Sequence, residues 1–123
     1  MDSYAEVLRI DLGAVHSEDE LLSCLGEVFE FGGPNGNVRA DSRVTGKGWG
    51  MNWNAVFDSL SYLDTGGIYG TSRIPKFPLC VKFIGGKKYK ASHPASYVIL
   101  ADILAQQQGA YALRDLRFVC EFL

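Results

Sequence analysis

The residues best suited to recognition gather in one stretch, Gly48-Trp49-Gly50-Met51-Asn52-Trp53-Asn54-Ala55-Val56-Phe57-Asp58-Ser59-Leu60. A glycine-punctuated loop carrying Trp49 runs into a short helix opened by Asn52, a favoured N-cap residue. With Trp53 as the zero of a helical wheel, 100° per residue puts Val56, Leu60 and Leu63 within about 80° of it. Those four form a core-facing stripe. Asn54, Asp58, Ser61 and Tyr62 fall on the far side, and Phe57 lies on the border. An isolated exposed aspartate is ordinary surface chemistry. Here Phe57 lies beside Asp58, Asn54 one turn before it, and Trp49 in the entering loop. Aromatic anchors around a central charge are what interface hot spots are made of, so Trp49, Asn54, Phe57 and Asp58 are the candidate partner-binding residues.

Other reactive residue types form no catalytic constellation. The two histidines, His16 and His93, sit beside expected helix N-caps and read as loop or capping residues. Cys-x-x-Cys and His-x-x-x-His spacings are absent, as is a serine nucleophile elbow, so no metal site, cofactor or hydrolase activity is expected. Gly46-Lys47-Gly48-Trp49-Gly50 superficially suggests a phosphate loop. It lacks the Gly-Lys-Ser/Thr ending and follows no expected strand. Lys87, Lys88 and Lys90 around Tyr89 give the one local hint of nucleic-acid contact. Three lysines next to a turn read more simply as a solvated tip. The chain is therefore expected not to be an enzyme.

The totals agree. A length of 123 residues, 47% apolar and 12% aromatic, suits a single domain (1–123) with a substantial core. Twelve basic residues against fourteen acidic ones give a net charge of −2, which offers no support to bulk nucleic-acid binding and mildly favours a basic partner. Apolar runs are far too short for a membrane span. The N-terminal residues carry acids and no basic-then-apolar order, so no signal peptide is expected. Cys24, Cys80 and Cys120 each sit in apolar company and read as buried free thiols of a cytoplasmic protein.

The elements that must position this stretch follow in order. Val7 to Leu12 alternates with period two, a half-exposed strand. Ser17-Glu18-Asp19-Glu20 has capping-box spacing, with acids in the first helical turn and Leu21, Leu22, Leu25, Val28 and Phe29 continuing at helical spacing. From Phe31 to Gly50 periodicity is lost among six glycines and one proline, and a loop of that length is usually functional or disordered. The second helix spans roughly Asn52 to Leu63, stopped by Gly66-Gly67. Leu79 to Ile84 is a strand, and Gly85-Gly86 turns the chain. Lys87 to Lys90 is either a returning hairpin arm or a loop. A third helix begins near Ser92-His93-Pro94 and runs to Gln108, with Tyr97, Leu100, Ala101 and Leu104 on one face, Ile99 and Ile103 widening it, and Gly109 as C-cap. Leu116 to Leu123 forms the last strand. Helical crossovers favour parallel strands with right-handed connections. The expected class is α/β, a two-layer fold with a small three-stranded parallel sheet covered mainly on one face by three helices.

The second-helix stretch resembles the signature of the barstar family: aromatic, Gly, any residue, Asn, apolar, Asp or similar, Ala, apolar, Trp or similar, Asp, any residue, Leu. Trp49, Gly50, Asn52, Ala55, Asp58 and Leu60 fall in register, and the order of elements fits along nearly the whole chain. The resemblance implies an intracellular bacterial immunity protein with a barstar-like fold. Such a monomer would bind a cognate ribonuclease toxin one to one and occlude its active site with this helix and its preceding loop. Asp58 would enter the cationic phosphate-binding site of the nuclease, Trp49 would pack at the interface, and Phe57 would take the tryptophan-like position. The chain departs from the pattern at Asn54, which replaces an aspartate, and at Gly48, which replaces an aromatic. Counting back from Gly109 to the family's later-helix glutamate lands on Leu104. The Phe31 to Lys47 loop is longer than the family minimum. Two other readings compete: a non-enzymatic interaction module with a non-nuclease partner, and, more weakly, an RNA-binding protein using Lys87 to Lys90.

Overall fold

A computed structural model of the chain describes residues 3–31, 52–66, 71 and 73–123. Their elements are β1 (Glu6–Asp11), a 3-10 turn (Leu12–Ala14), α1 (Glu18–Phe29), α2 (Trp53–Leu60), β2 (Leu79–Ile84), α3 (Gly86–Ser92), α4 (Pro94–Ala112) and β3 (Phe118–Phe122). The chain divides into two compact units, residues 1–21 with 76–123, and residues 22–75.

The first unit holds a three-stranded parallel sheet in the order β1-β2-β3. Its middle strand is the one whose sequence is most nearly continuously apolar, as a strand flanked on both edges should be. Leu79, Cys80, Val81 and Phe83 are all buried, while Lys82 is half-exposed and Ile84 at the strand end is exposed. Register pairs Leu8 with Val81 and Val81 with Cys120, so Ile10, Leu79, Val81, Phe83, Phe118 and Phe122 share one face. Helix α4 lies on that face. Tyr111 meets Phe118 edge-on at 5.6 Å, and Tyr97 meets Phe122 at 5.3 Å. On the opposite face Arg9, Lys82 and Glu121 form one cross-strand row, with Lys82 Nζ 4.0 Å from the Glu121 carboxylate, beside an apolar row of Val7, Cys80 and Val119. The α/β class and the small parallel sheet are as the sequence predicts.

Two expectations fail in this unit. Lys87 to Lys90 is neither hairpin arm nor loop but the body of α3, which brings the described helices to four. Since β2 already has parallel neighbours on both sides, a returning arm would find no free edge to pair with. Gly85, at φ +77°, ends the strand instead, in the left-handed region that glycine tolerates. A Cβ there would stand 2.6 Å from the Gly13 nitrogen. Helix α4 also runs past Gly109 to Ala112, because Tyr111 is fully buried and holds the last turn against β3. The left-handed residue beyond the helix is Asp115 (φ 58°), and the Leu116 N–H closes back on the Tyr111 carbonyl at 3.0 Å. Within α4 the buried positions are Ser96, Leu100, Ile103, Leu104, Gln107 and Tyr111; Tyr97 and Ala101 are half-buried and Ile99 is exposed.

Capping box and thiols come close to expectation. Ser17 Oγ accepts from the Glu20 N–H at 3.1 Å, while the Glu20 carboxylate reaches back to the His16 N–H, one residue further than the standard box, at 2.8 Å. His93 stands at the N-cap of α4 without a side-chain capping bond, its ring stacked on Tyr89 at 4.9 Å. All three cysteines are free, but only Cys80 is fully buried; Cys24 and Cys120 are half-buried. Burial pushes the Cys80 and Cys120 thiols up from their ordinary value, and Glu121 adds to the effect on Cys80.

The second unit contains most of α1 and all of α2. Among its described residues, Leu22, Leu25, Phe29, Phe31, Val56, Leu60 and Leu63 are buried. Helix α1 ends as Glu30 turns left-handed (φ 56°) and the Phe31 N–H bonds the Gly26 carbonyl at 3.0 Å. Phe31 then makes an antiparallel bridge to Thr71, and Arg73 pairs with Glu30 at 3.1 Å on the surface.

Candidate functional site

Helix α2 is built as its sequence predicts. Asn52 has extended backbone angles, and its side-chain oxygen accepts from the Ala55 N–H at 2.8 Å. Val56, Leu60 and Leu63 are completely buried, while Trp53 is half-buried. Regular helix ends at Leu60, short of the predicted Leu63, because the Ser61 N–H is shared between the Phe57, Asp58 and Ser59 carbonyls. A tightened final turn of this kind satisfies carbonyls that a longer helix would otherwise leave open. The Ser61 hydroxyl adds a bond to the Phe57 carbonyl at 2.9 Å. Gly66, at φ +68°, receives the chain beyond it, its N–H on the Tyr62 carbonyl at 2.6 Å. Gly67 lies outside the described residues.

The outward line is also as predicted. Asn54 and Asp58, one turn apart, are both exposed, and Phe57 is half-buried at the border. Among the described residues, neither the Asn54 amide nor the Asp58 carboxylate has a hydrogen-bond or ion-pair partner. Trp49 lies outside the described residues, as do Gly46 to Gly50 and the loop from residue 32 to 47.

Asp58 gains no support from the dipole of its own helix. It occupies the last turn of α2, where the partial negative charge of the helix end disfavours a carboxylate. No basic residue stands in that turn to compensate. The carboxylate therefore contributes nothing to holding its own helix.

One surface residue goes beyond the predicted set. Tyr62 continues the Asn54–Asp58 line and is 46% exposed, large for an aromatic side chain. The helical wheel places it on the outer face, two residues beyond the stretch that carries the motif. Nearby in the same unit, Ile74 is 51% exposed and packs beside Gly66. The outer face of α2 thus offers an amide, a carboxylate and an apolar margin. That composition fits recognition of a cationic, partly apolar surface.

Two remaining candidates are buried. Leu104, the position reached by counting from Gly109, is 1% exposed and unable to face a partner. The count fails because Gly109 is not the helix end. Tyr89, the aromatic among the lysines, is also buried, its hydroxyl 2.7 Å from Ser96 Oγ, so it offers no ring for a base to stack on. Burial raises its pKa, partly offset by that hydrogen bond. No group of three metal-binding side chains is found among the described residues, and no described helix is long and apolar enough to cross a membrane.

No protein-family model matches the chain, and no curated protein matches it either.

Proposed function

We propose that the chain is a barstar-like immunity protein that binds a cognate bacterial ribonuclease toxin and blocks its active site with the outer face of α2 and the loop before it. The observation that carries this reading is Asp58: an exposed carboxylate in the helix turn least suited to it, with no partner among the described residues. A ribonuclease gathers cations to hold phosphate, and a carboxylate on a rigid helix satisfies those cations where substrate would. Asn54 adds a hydrogen-bonding group without charge, and Phe57 and Tyr62 supply apolar margin on either side. The protein acts in the cytoplasm by one-to-one binding, without catalysis of its own.

Titrating the purified protein against the ribonuclease encoded beside it, with RNA cleavage as the readout, tests the proposal. Cleavage falls to the background level at stoichiometric inhibitor. Unchanged cleavage at excess rejects it. Weakening of the complex with added salt is a second expected outcome, since charge pairing is screened; a salt-independent complex points to a partner other than a nuclease.

A further inference from the structure

The basic segment left unused by α2 closes one side of a cleft in the sheet-bearing unit. Gly86, Lys87 and Lys90 of α3, Tyr97 of α4, and Phe122 and Leu123 at the end of β3 line it, enclosing about 280 Å³. That is near the lower end of small-molecule sites. Its apolar wall is firmly set. Phe122 stacks on buried Phe83 with ring centres 4.9 Å apart, and Tyr97 tilts against Phe122 at 58°. Lys90 Nζ stands 5.5 Å from the centre of the Tyr97 ring, which holds the ammonium at the mouth. Lys87 and Lys90 are exposed, and among the described residues neither meets a carboxylate. The Leu123 backbone oxygen accepts from the Gly85 N–H at 3.0 Å.

Gly86 keeps the cleft open. Its φ is not in the left-handed region, so the backbone does not demand glycine there. A methyl group at this position would stand 3.6 Å from a Phe122 ring carbon and 3.7 Å from a Tyr97 ring carbon, filling the aromatic end at ordinary contact distance.

We infer that this cleft binds a small anion carried on a flat ring. The ring lies against Phe122 and Tyr97, and the anionic group meets the Lys87 and Lys90 ammonium groups. Offset stacking on the aromatic wall supplies shape selection, and the paired ammonium groups supply charge selection. Two sources share this chemistry, a nucleoside monophosphate and an aromatic carboxylate. The site is independent of α2 and of the ribonuclease reading.

Nuclear magnetic resonance titration of the full chain with adenosine monophosphate, and separately with phenylacetate, decides the matter. One of the two shifts the Tyr97 and Phe122 ring signals saturably and so identifies the source. Inorganic phosphate, lacking a ring, binds at least about tenfold more weakly than adenosine monophosphate if the nucleotide is the ligand. The Lys87→Ala/Lys90→Ala double variant, altered only at exposed positions, weakens the identified probe at least about tenfold. Gly86→Ala abolishes its binding without lowering the unfolding midpoint. Absence of a saturable shift with both probes overturns the inference. So does undiminished binding by the lysine double variant.

Discussion

Two exposed acidic regions of this molecule serve opposite ends. At the start of α1, Glu18, Asp19 and Glu20 lie where the positive end of the helix welcomes them, and Glu20 bonds the His16 N–H. At the end of α2, Asp58 sits where the helix repels it and bonds nothing among the described residues. Both regions are solvent-exposed carboxylates, and composition alone treats them alike. The difference is that folding uses the first and tolerates the second. A charge that folding merely tolerates is the better candidate for a partner.

The contrast yields predictions that separate binding from stability. The largest concerns Asp58→Ala, which weakens the proposed complex with a cognate ribonuclease by several kcal/mol in calorimetric titration. That is the scale of interface hot spots, for which the barstar family is itself an example. A loss below about 0.5 kcal/mol would reduce Asp58 to a rim charge. Ser17→Ala does the reverse: by denaturant unfolding it costs about 1 kcal/mol of stability through loss of the α1 cap, and it leaves ribonuclease affinity unchanged. Gly109→Ala is the control for stability changes away from either region. The residue lies inside α4, with nothing within 4 Å of an added Cβ. The substitution should therefore raise stability by roughly 0.5–1 kcal/mol, again without touching affinity. Smallest is Asp58→Asn in the free protein, which removes the charge from the unfavourable helix end and gains a few tenths of a kcal/mol in thermal unfolding. Any loss of stability there would mean that the fold does use this carboxylate.

Most of this architecture was legible wherever local pattern and tertiary demand coincide. Asn52, Val56, Leu60 and Leu63 declare α2 because capping chemistry and a 3.6-residue period point to the same helix. The strands are equally plain: β1 alternates as an edge strand, and β2 is apolar as a central one. What escaped reading was set by distant packing. Nothing local shows that Lys87 to Lys90 must coil; the occupied edges of β2 exclude the alternative. Gly109 carries a stop signal, yet burial of Tyr111 against Phe118 outweighs a glycine's helix penalty of about 1 kcal/mol. The same contact moves the helix end to Ala112 and the left-handed residue to Asp115, and with them any register counted backwards from the glycine. At the candidate site, Asn54, Phe57 and Asp58 were legible from the wheel. Tyr62 is on the outer side of the same wheel, yet it lies beyond the motif stretch that closes at Leu60 and is not grouped with them. That Asp58 has no partner among the described residues could be learned only from the folded chain.

The central claim is that the α2 carboxylate belongs to a partner rather than to the fold, and paired measurements on Asp58→Asn test it most directly. One sample is followed by denaturant unfolding and by inhibition of RNA cleavage, beside the unaltered protein. The expected result is an unfolding midpoint at or slightly above that of the unaltered chain, together with affinity for the ribonuclease lower by about a hundredfold or more, which is roughly 2.8 kcal/mol. A lowered midpoint with affinity within about twofold of the original would contradict the claim and return Asp58 to the surface chemistry of the fold.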